Sequence, residues 1–365
     1  MGFKCGIVGL PNVGKSTLFN ALSSAKAEAA NYPFCTIEPN LGVIIVPDPR
    51  LDKLADIVKP QAVQPAVVQI VDIAGLVRGA SKGEGLGNQF LANIRECEAI
   101  IHVLRCFEDG NIIHVENSVD PVRDKEIIDT ELQLKDLETV EKRLQKAQKN
   151  LKGGSKDAQR EFALLEMYRD ILQEGKSARL LELAADDQEI ADDFGLLTTK
   201  PVVYCCNVDE NSILTGNAYV EKVREAVKDE RAEVILISAA LESQIAVLDT
   251  IEERNEFLEA MGLSEPGMHK LIRAAYALLE LETYFTAGVK EVRAWTIHKG
   301  TKAPQAAGVI HTDFEKGFIR AEVIKYADYV HYNSEQAVKE AGKLMVQGKE
   351  YTVEDGDIMH FRFNV

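Results

Sequence analysis

The residues that most clearly indicate chemistry lie in a glycine-rich segment near the start of the chain. Residues 9–16 read GLPNVGKS and satisfy the pattern G-x-x-x-x-G-K-S/T between an apolar run and a run with helical spacing. Backbone N–H groups of such a loop close around phosphates, its lysine reaches the β and γ oxygens, and its serine ligates Mg²⁺. The segment therefore predicts a nucleoside triphosphate site formed by Asn12, Val13, Gly14, Lys15, Ser16 and Thr17.

Two further segments could complete this site. Residues 72–75 read DIAG after a predicted strand, where the Asp72 carboxylate holds Mg²⁺ through water and the Gly75 amide can meet the γ-phosphate. Thr36 lies between the first predicted helix and the second predicted strand, where a switch threonine closes on Mg²⁺. Without the neighbouring motifs, Thr36 would be an ordinary loop threonine. Ser16, Thr36 and Asp72 are thus the predicted metal ligands, and Lys15 and Gly75 the predicted catalytic groups at the phosphates.

The base-recognition segment departs from the guanine pattern. A GTPase carries N-K-x-D after its fifth strand, whereas residues 207–210 read NVDE. Val208 removes the lysine whose stem covers the base, and Glu210 moves the acceptor by one methylene, which disturbs a site built on hydrogen bonds. We therefore expect ATP to be preferred over GTP, with Asn207, Val208, Glu210 and Ser238 at the base. The alternative is that Asn207 and Glu210 only form a turn.

The apolar runs predict the elements that position these residues. Runs rich in β-branched residues indicate buried strands of a mostly parallel sheet at 3–9, 42–46, 66–73, 99–104, 201–206 and 233–237. Residues 120–200 are charge-dense and helical in period, with apolar residues at 137, 140, 144, 147 and 151 and again at 165, 168 and 172. This pattern predicts an inserted antiparallel helical hairpin. After residue 281, strands and turns predict a small α+β domain.

The composition limits the class of protein. Hydrophobic residues make up 46% of the chain, and no run approaches the roughly 18 apolar residues of a membrane span, which predicts a soluble protein. The chain opens directly into an apolar strand rather than a signal peptide, and its six cysteines lack C-x-x-C spacing. We therefore expect a cytoplasmic protein in a reducing compartment. The net charge of −16 argues against indiscriminate binding to nucleic acid.

These motifs resemble those of the YchF family of Obg-like ATPases, a branch of the translation-factor-related P-loop GTPases. The resemblance rests on GLPNVGKS from residue 9, NYPFCTIEPN from 31, DIAGLV-x-GA from 72 and NVDE from 207, and it extends over nearly the whole chain. It implies an α/β fold in which a P-loop G domain (1–120 plus 200–277) carries an inserted helical hairpin (121–199). A C-terminal TGS domain of ubiquitin-like β-grasp fold follows at 278–365.

The resemblance also implies activity, cofactor and partner. It implies hydrolysis of ATP with Mg²⁺ and association with the ribosome and its large subunit. Leu76 stands where many relatives carry a water-orienting glutamine, and the resemblance points to His114 as the replacement, whereas the residues alone indicate a solvated loop histidine. Asn12 resembles the asparagine that coordinates K⁺ in cation-activated relatives. The alternative is that Asn12 merely shapes the loop.

Two other functions stay open, a GTPase of signalling type and a largely non-catalytic ribosome or RNA adaptor in which Leu76 marks lost hydrolysis. Between residues 142 and 160, seven basic residues stand against the single acid Asp157: Lys142, Arg143, Lys146, Lys149, Lys152, Lys156 and Arg160. An exposed hairpin could present them to RNA phosphates, and the alternative is a solvated helix face. We expect a monomer that binds neither a membrane nor specific DNA sequences.

Overall fold

The computed structural model describes residues 3–24, 40–73, 87–151, 155–230 and 232–364. Its strands are β1 (Lys4–Val8), β2 (Leu41–Ile45), β3 (Ala62–Gln64), β4 (Val67–Asp72), β5 (Ala99–Arg105), β6 (Val202–Asn207), β7 (Val234–Ile237), β8 (Leu281–Ala287), β9 (Glu291–His298), β10 (Phe318–Ile324), β11 (Met345–Gln347) and β12 (Ile358–Phe363). Its α-helices are α1 (Lys15–Ser24), α2 (Pro49–Val58), α3 (Gly87–Glu96), α4 (Pro121–Asn150), α5 (Lys156–Gln173), α6 (Ala185–Asp192), α7 (Ala218–Ala226), α8 (Ala239–Ala246), α9 (Ile251–Ala260), α10 (Gly267–Leu278), α11 (Ala303–Ile310), α12 (Thr312–Lys316), α13 (Tyr326–Tyr332) and α14 (Glu335–Glu340).

The first sheet carries the predicted phosphate and base motifs. Its six strands follow the order β2-β4-β1-β5-β6-β7. β4, β1, β5, β6 and β7 run parallel, while β2 is antiparallel to β4. β5 and β6 are buried along their whole length, as expected for central strands covered on both faces. The carboxyl ends of the parallel strands therefore meet at one edge, where the loops that follow β1, β4, β5, β6 and β7 can combine into one site.

The hairpin inserted between β5 and β6 consists of α4 and α5, as predicted. Asp120 caps α4 by accepting hydrogen bonds from the backbone N–H groups of Val122 and Arg123. The first turns of α4 lie in the core of the first sheet, to which Ile128 and Leu132 belong. Farther along, α4 packs against α5 in a separate core formed by Val140, Leu144, Ala147, Leu165, Tyr168 and Leu172 among others. One continuous 30-residue helix thus connects the two cores.

The second sheet has the order β11-β10-β12-β8-β9-β3. Five of its strands come from the C-terminal region, in agreement with the predicted small α+β domain. The edge strand β3 comes from the N-terminal third of the chain and pairs parallel with β9, with Ala62 opposite Glu291 and Gln64 opposite Arg293. β3 was not among the strands predicted from the sequence, because three residues are too few to show alternation. The domain boundaries at 120, 200 and 278 remain predictions.

Helix α2, which precedes β3 in the chain, also contacts the second sheet. Arg50 in α2 donates from Nη1 to Asp355 Oδ2 at 2.6 Å, and its guanidinium lies 5.4 Å from the ring centre of Phe285 on β8. Asp48, the N-cap of α2, accepts hydrogen bonds from the same guanidinium. Within the described ranges, no helix combines the length and the apolar character that crossing a membrane requires.

Candidate nucleotide site

The phosphate end of the candidate site consists of residues 9–17 and Asp72. Gly14 has φ 94°, and a Cβ built on it would lie 2.2 Å from Nδ2 of Asn207. A Cβ on Gly9 would lie 2.8 Å from the carbonyl oxygen of Val103. Glycine is therefore required at both positions, by backbone conformation at Gly14 and by close packing at both. Val13 is buried beneath the loop, whereas Asn12, Ser16 and Thr17 are exposed.

Lys15 and Asp72 lie side by side at this end. Lys15 Nζ forms an ion pair with Asp72 Oδ1, and Lys15 is only 8% exposed. Lys15 begins α1 and Asp72 ends β4, so the parallel sheet brings together two groups that the sequence predicted to serve phosphate and metal. Thr36 and Gly75, the other predicted groups at the γ-phosphate, lie outside the described residues, as does Leu76.

The base end of the site consists of residues 207–210 and 238–242. Asn207, at the end of β6, is 4% exposed. Its Nδ2 donates to the carbonyl oxygen of Val13 at 2.9 Å, and its Oδ1 accepts from the backbone N–H of Ala239 at 3.0 Å. Asn207 therefore ties the phosphate end to the loop after β7, which is more than the turn that the alternative interpretation gave it.

The remaining predicted base residues differ in their surroundings. Val208 is buried in the core of the first sheet, and Ser238 is buried at the N-cap of α8, where its hydroxyl accepts from the Leu241 N–H. Both side chains therefore serve the fold. Glu210 is exposed at the start of a 3₁₀ turn and accepts from Gln244 Nε2 at 3.1 Å.

Glu242, also at the base end, joins α8 to α10. It is 4% exposed and its Oε1 accepts from the backbone N–H of Gly267 at 2.8 Å, at the start of α10. Burial raises the pKa of Glu242 to about 7, although hydrogen bonds from the N–H groups of Gly267 and Met268 act in the opposite direction. The helix behind the base end is thereby held through a carboxyl group that titrates near neutral pH.

His114 lies in the loop that follows β5, beside the phosphate end. The ring is buried, with 5% exposure, so the interpretation as a solvated loop histidine is wrong. Its Nε2 lies 2.7 Å from Oδ2 of Asp124 in the first turn of α4. The preceding carbonyl, that of Ile113, accepts from Asn12 Nδ2 at 3.0 Å. The Asn12 side chain therefore connects the glycine-rich loop to the His114 loop.

Sequence reasoning missed two residues that organise this loop. Arg105, buried at the end of β5, donates to the carbonyl oxygens of Phe107, Asp109 and Ile112. Asp124 was missed because an acid in the first turn of a helix is the ordinary complement of the helix dipole and gives no signal of its own. A buried arginine at the end of an apolar strand is a more readable signal, because its charge needs partners.

The chemistry of these groups suits a Mg-bound triphosphate. The loop has the backbone that close approach of phosphates demands, the N-terminus of α1 favours negative charge, and Lys15 adds a cation. The Ser16 hydroxyl and the Asp72 carboxylate are oxygen ligands of the kind that Mg²⁺ prefers.

The predicted basic surface is smaller than its sequence suggests. Lys142 pairs with Glu138, Arg143 donates to the carbonyl oxygen of Asp193, and Arg160 pairs with Asp187. Lys146, Lys149 and Lys156 are exposed, and Lys152 lies outside the described residues. Local acids and carbonyl groups thus already engage part of the basic excess.

Comparisons with known proteins agree with these features. A family model described as 50S ribosome-binding GTPase matches residues 4–149, and a YchF-type GTPase C-terminal model, described as a protein of unknown function, matches residues 281–364. Proteins named ribosome-binding ATPase YchF from Escherichia coli O157:H7 and Bacillus subtilis are 59% and 52% identical, and each alignment covers 100% of both chains.

Solved structures give the same result. The YchF GTPase of Schizosaccharomyces pombe is 42% identical and superposes with a TM-score of 0.90, over 99% of this chain and 98% of that one. A GTP binding protein from Pyrococcus horikoshii OT3, 20% identical with a TM-score of 0.58 over 99% of this chain and 100% of that one, shares the fold. The predicted fold class is confirmed: with relatives of this identity aligned along its entire length, the chain belongs to the YchF family.

Proposed function

We propose that this protein is a Mg-dependent ATPase that hydrolyses ATP to ADP and phosphate and associates, as a nucleotide-switched factor, with the ribosome. The observation that carries the proposal is the contact between Lys15 and Asp72 beside a loop in which only glycine fits at position 14. This contact supports the proposal because it brings together the cation that phosphates need and the carboxylate that their metal needs. The names of the relatives, ribosome-binding ATPase, supply the partner and the nucleotide.

The predicted residues take distinct roles in this proposal. The backbone of residues 12–17 surrounds the phosphates, Lys15 contacts the β and γ oxygens, and the Gly75 amide meets the γ-phosphate. Ser16, Asp72 and Thr36 hold Mg²⁺, which when bound neutralises charge on the phosphates. Asn12 is proposed to bind K⁺ through its Oδ1, because the hydrogen bond to the Ile113 carbonyl uses Nδ2 and leaves that oxygen for the cation.

Preference for ATP over GTP rests on Glu210. The guanine acceptor position holds a longer side chain, whose carboxylate is already hydrogen-bonded to Gln244. We expect ATP to bind at least several-fold more tightly than GTP, which requires only about 1 kcal/mol. Calorimetric titration with both nucleotides measures this difference. Equal or tighter binding of GTP would favour the rival signalling GTPase.

Glu210→Asp sharpens that test, because it restores the guanine acceptor at an exposed position and should shift the ratio toward GTP. Val208→Lys is the weaker variant, since Val208 lies in the core and a lysine there must displace packed side chains. Glu256→Asp, at an exposed position on α9, makes the same change of side-chain length away from the base end and serves as the control.

His114 is proposed to orient the attacking water, because Leu76 can neither donate nor accept a hydrogen bond. His114→Ala should keep ATP affinity but slow single-turnover hydrolysis, where such groups contribute roughly 10²- to 10⁴-fold. Lys15→Ala and Ser16→Ala should lose binding instead. A His114→Ala protein that hydrolyses ATP at the wild-type rate removes this histidine from the mechanism, and a wild-type protein without hydrolysis would favour the adaptor function.

Ribosome association is proposed to use the exposed hairpin lysines and the C-terminal domain. Reversing Lys146, Lys149 and Lys152 to Glu should weaken ribosome cosedimentation, most steeply at low salt, while ATP hydrolysis by the isolated protein stays unchanged. Reversal of Lys53, Lys222 and Lys270, exposed lysines outside the hairpin, is the charge-matched control. Equal losses in the two triple variants would mean that net charge alone acts and that the hairpin is only a solvated surface.

A further inference from the structure

His114 and Asp124 form a deeply buried contact near the phosphate end. The side chains are 3% and 1% exposed, and 2.7 Å separates Nε2 from Oδ2. The other ring nitrogen, Nδ1, accepts a hydrogen bond from the backbone N–H of Glu116 at 3.1 Å. A backbone N–H can only donate, so Nδ1 carries no proton in this arrangement, and the proton on Nε2 points at the carboxylate. Both ring nitrogens are therefore engaged within the protein.

This arrangement conflicts with the orientation of water by the same ring. A group that positions a water molecule needs a ring nitrogen within hydrogen-bond reach of it. Here both nitrogens already have protein partners: Nε2 contacts the Asp124 carboxylate, and Nδ1 accepts from the Glu116 N–H. The ring must leave at least one of them before it can act. If it leaves only the Glu116 N–H, the carboxylate supports a working ring; if it must leave the charged carboxylate, the stronger of the two contacts, that carboxylate restrains it.

Asp124 is itself held firmly in place. It lies in the first turn of α4, where the helix dipole favours a carboxylate, and its second oxygen accepts from Arg123 Nε at 3.2 Å and Nη2 at 2.9 Å. The same guanidinium donates to the hydroxyl and carbonyl oxygens of Ser118. The carboxylate is thus fixed by the helix and by the loop end, and the motion required for release falls on the His114 ring.

We propose that Asp124 is a positioning residue that holds His114 in a resting orientation, and that hydrolysis requires the His114 ring to leave this carboxylate. The inference rests on the proposed function of His114. It gives Asp124 a restraining effect, which is opposite to the supporting effect that a carboxylate has when it orients a working histidine. Whether removal of Asp124 raises or lowers the rate of hydrolysis therefore decides between the restraining and the supporting role.

Asp124→Ala should raise the single-turnover rate of ATP hydrolysis by roughly ten-fold, because loss of a charge-assisted contact enlarges the population of released rings by about that factor. The KM for ATP should stay unchanged. The double variant His114→Ala/Asp124→Ala should be as slow as His114→Ala alone, since a ring that is absent cannot be released. A rate that falls or does not change in Asp124→Ala overturns the inference.

A second, more conservative variant keeps the test decisive if Asp124→Ala does not fold. Asp124→Asn keeps the size of the side chain and one acceptor oxygen, so a smaller rise of roughly three-fold is expected from a neutral acceptor. Asp129→Asn is the matched control: Asp129 is a buried acid on the same helix, paired with Lys125 Nζ at 2.7 Å, and it should leave the rate unaltered. A similar rise in Asp129→Asn would assign the effect to loosening of α4 and sink the inference.

An independent readout uses the nucleotide-free protein. Nitrogen-15 NMR of the histidine rings should find an Nε2–H proton of His114 that exchanges slowly with solvent in the wild type and rapidly in Asp124→Ala, because only a released ring reaches water. An unchanged exchange rate contradicts the inference. If His114→Ala hydrolyses ATP like the wild type, the proposed function of His114 fails and the inference falls with it. If His114→Ala is slow and Asp124→Ala is no faster than wild type, only the inference fails.

Discussion

The phosphate end and the base end of the candidate site are built by different means. At the phosphate end, the decisive features belong to the backbone: Gly14 has φ 94°, Asn12 has φ 63°, and no Cβ fits at Gly14 beside Asn207. At the base end, the decisive features belong to side chains, and two of these hold the protein itself together. Asn207 bonds to two backbone groups, and Ser238 caps α8. Glu210 differs from these, because it is exposed.

This difference separates positions that tolerate substitution from positions that do not. A backbone conformation that only glycine adopts, next to a buried amide, tolerates no substitution without loss of the loop. An exposed acid such as Glu210 can be exchanged at little cost to folding. We infer that nucleotide preference can vary among proteins of this fold while phosphate binding is maintained. The three predictions below test that division, from the largest expected effect to the smallest.

Gly14→Ala should weaken nucleotide binding more than any other change considered. Alanine at φ 94° is strained, and its Cβ would meet Asn207 Nδ2 at 2.2 Å, so either the loop or Asn207 must move. We expect affinity for ATP to fall by roughly 100-fold or more, equivalent to about 2.7 kcal/mol. Titration with a fluorescent ATP analogue measures it.

Gly348→Ala is the control for Gly14→Ala, since among the described residues nothing lies within 4 Å of a Cβ built at Gly348. Its affinity should equal that of the wild type. Near-normal binding by Gly14→Ala would show that the phosphate end is as tolerant as an exposed side chain, and the comparison would lose its basis.

Asn207→Ala should lower the stability of both ends of the site and weaken nucleotide binding. It leaves the Val13 carbonyl and the Ala239 N–H without their partner, and each buried polar group left unpaired costs about 1–3 kcal/mol. We expect a lower melting temperature and roughly ten-fold weaker binding of both ATP and GTP. Asn211→Ala, at an exposed position in the following turn, should change neither quantity. Loss of binding to one nucleotide alone would mean that Asn207 reads the base instead of joining the two ends.

Glu242→Gln should change how the stability of the base end depends on pH. Burial raises the pKa of Glu242 from 4.5 to about 7, so between these values the folded protein holds a proton that the unfolded chain has lost. Its contribution to the free energy of unfolding is therefore fully present below pH 4.5 and is lost as pH rises through 7.

Glutamine keeps the acceptor for the Gly267 N–H and carries no charge at any pH. The melting temperature of Glu242→Gln should thus exceed that of the wild type at pH 8, and the two should converge at pH 5. Calorimetry at both pH values provides the comparison. A difference that is the same at pH 5 and pH 8 would mean that Glu242 does not titrate in this range.

Much of the fold could be predicted from the sequence because its signals are local. The runs that became β1, β5 and β6 are apolar without alternation, as strands covered on both faces must be. The hairpin was predicted because its apolar residues repeat at helical spacing. β3 was missed because its pairing partner β9 lies far along the chain, and no local pattern records such a contact.

The candidate site divides in the same way. The glycine-rich loop is predictable, since each of its residue types has a known role in phosphate or metal binding. The burial of Val208 was not predictable from its motif, because the motif gives the order of residues and not the direction of a side chain. The contact of His114 with Asp124 joins a loop to a helix turn ten residues later, and only the geometry of the fold brings them together.

The pairing of β3 with β9 has a consequence for the modularity of the chain. A segment beginning near residue 278 would contain five strands of the second sheet but would leave the edge of β9 uncovered, and open edges favour association between copies. It would also lose the Arg50 guanidinium that contacts Asp355 and Phe285. Exchange of the C-terminal region between relatives by recombination would therefore have to respect residues 48–64 as well. Residues 48–64 and the C-terminal region would therefore have to be inherited together, although they lie far apart in the sequence.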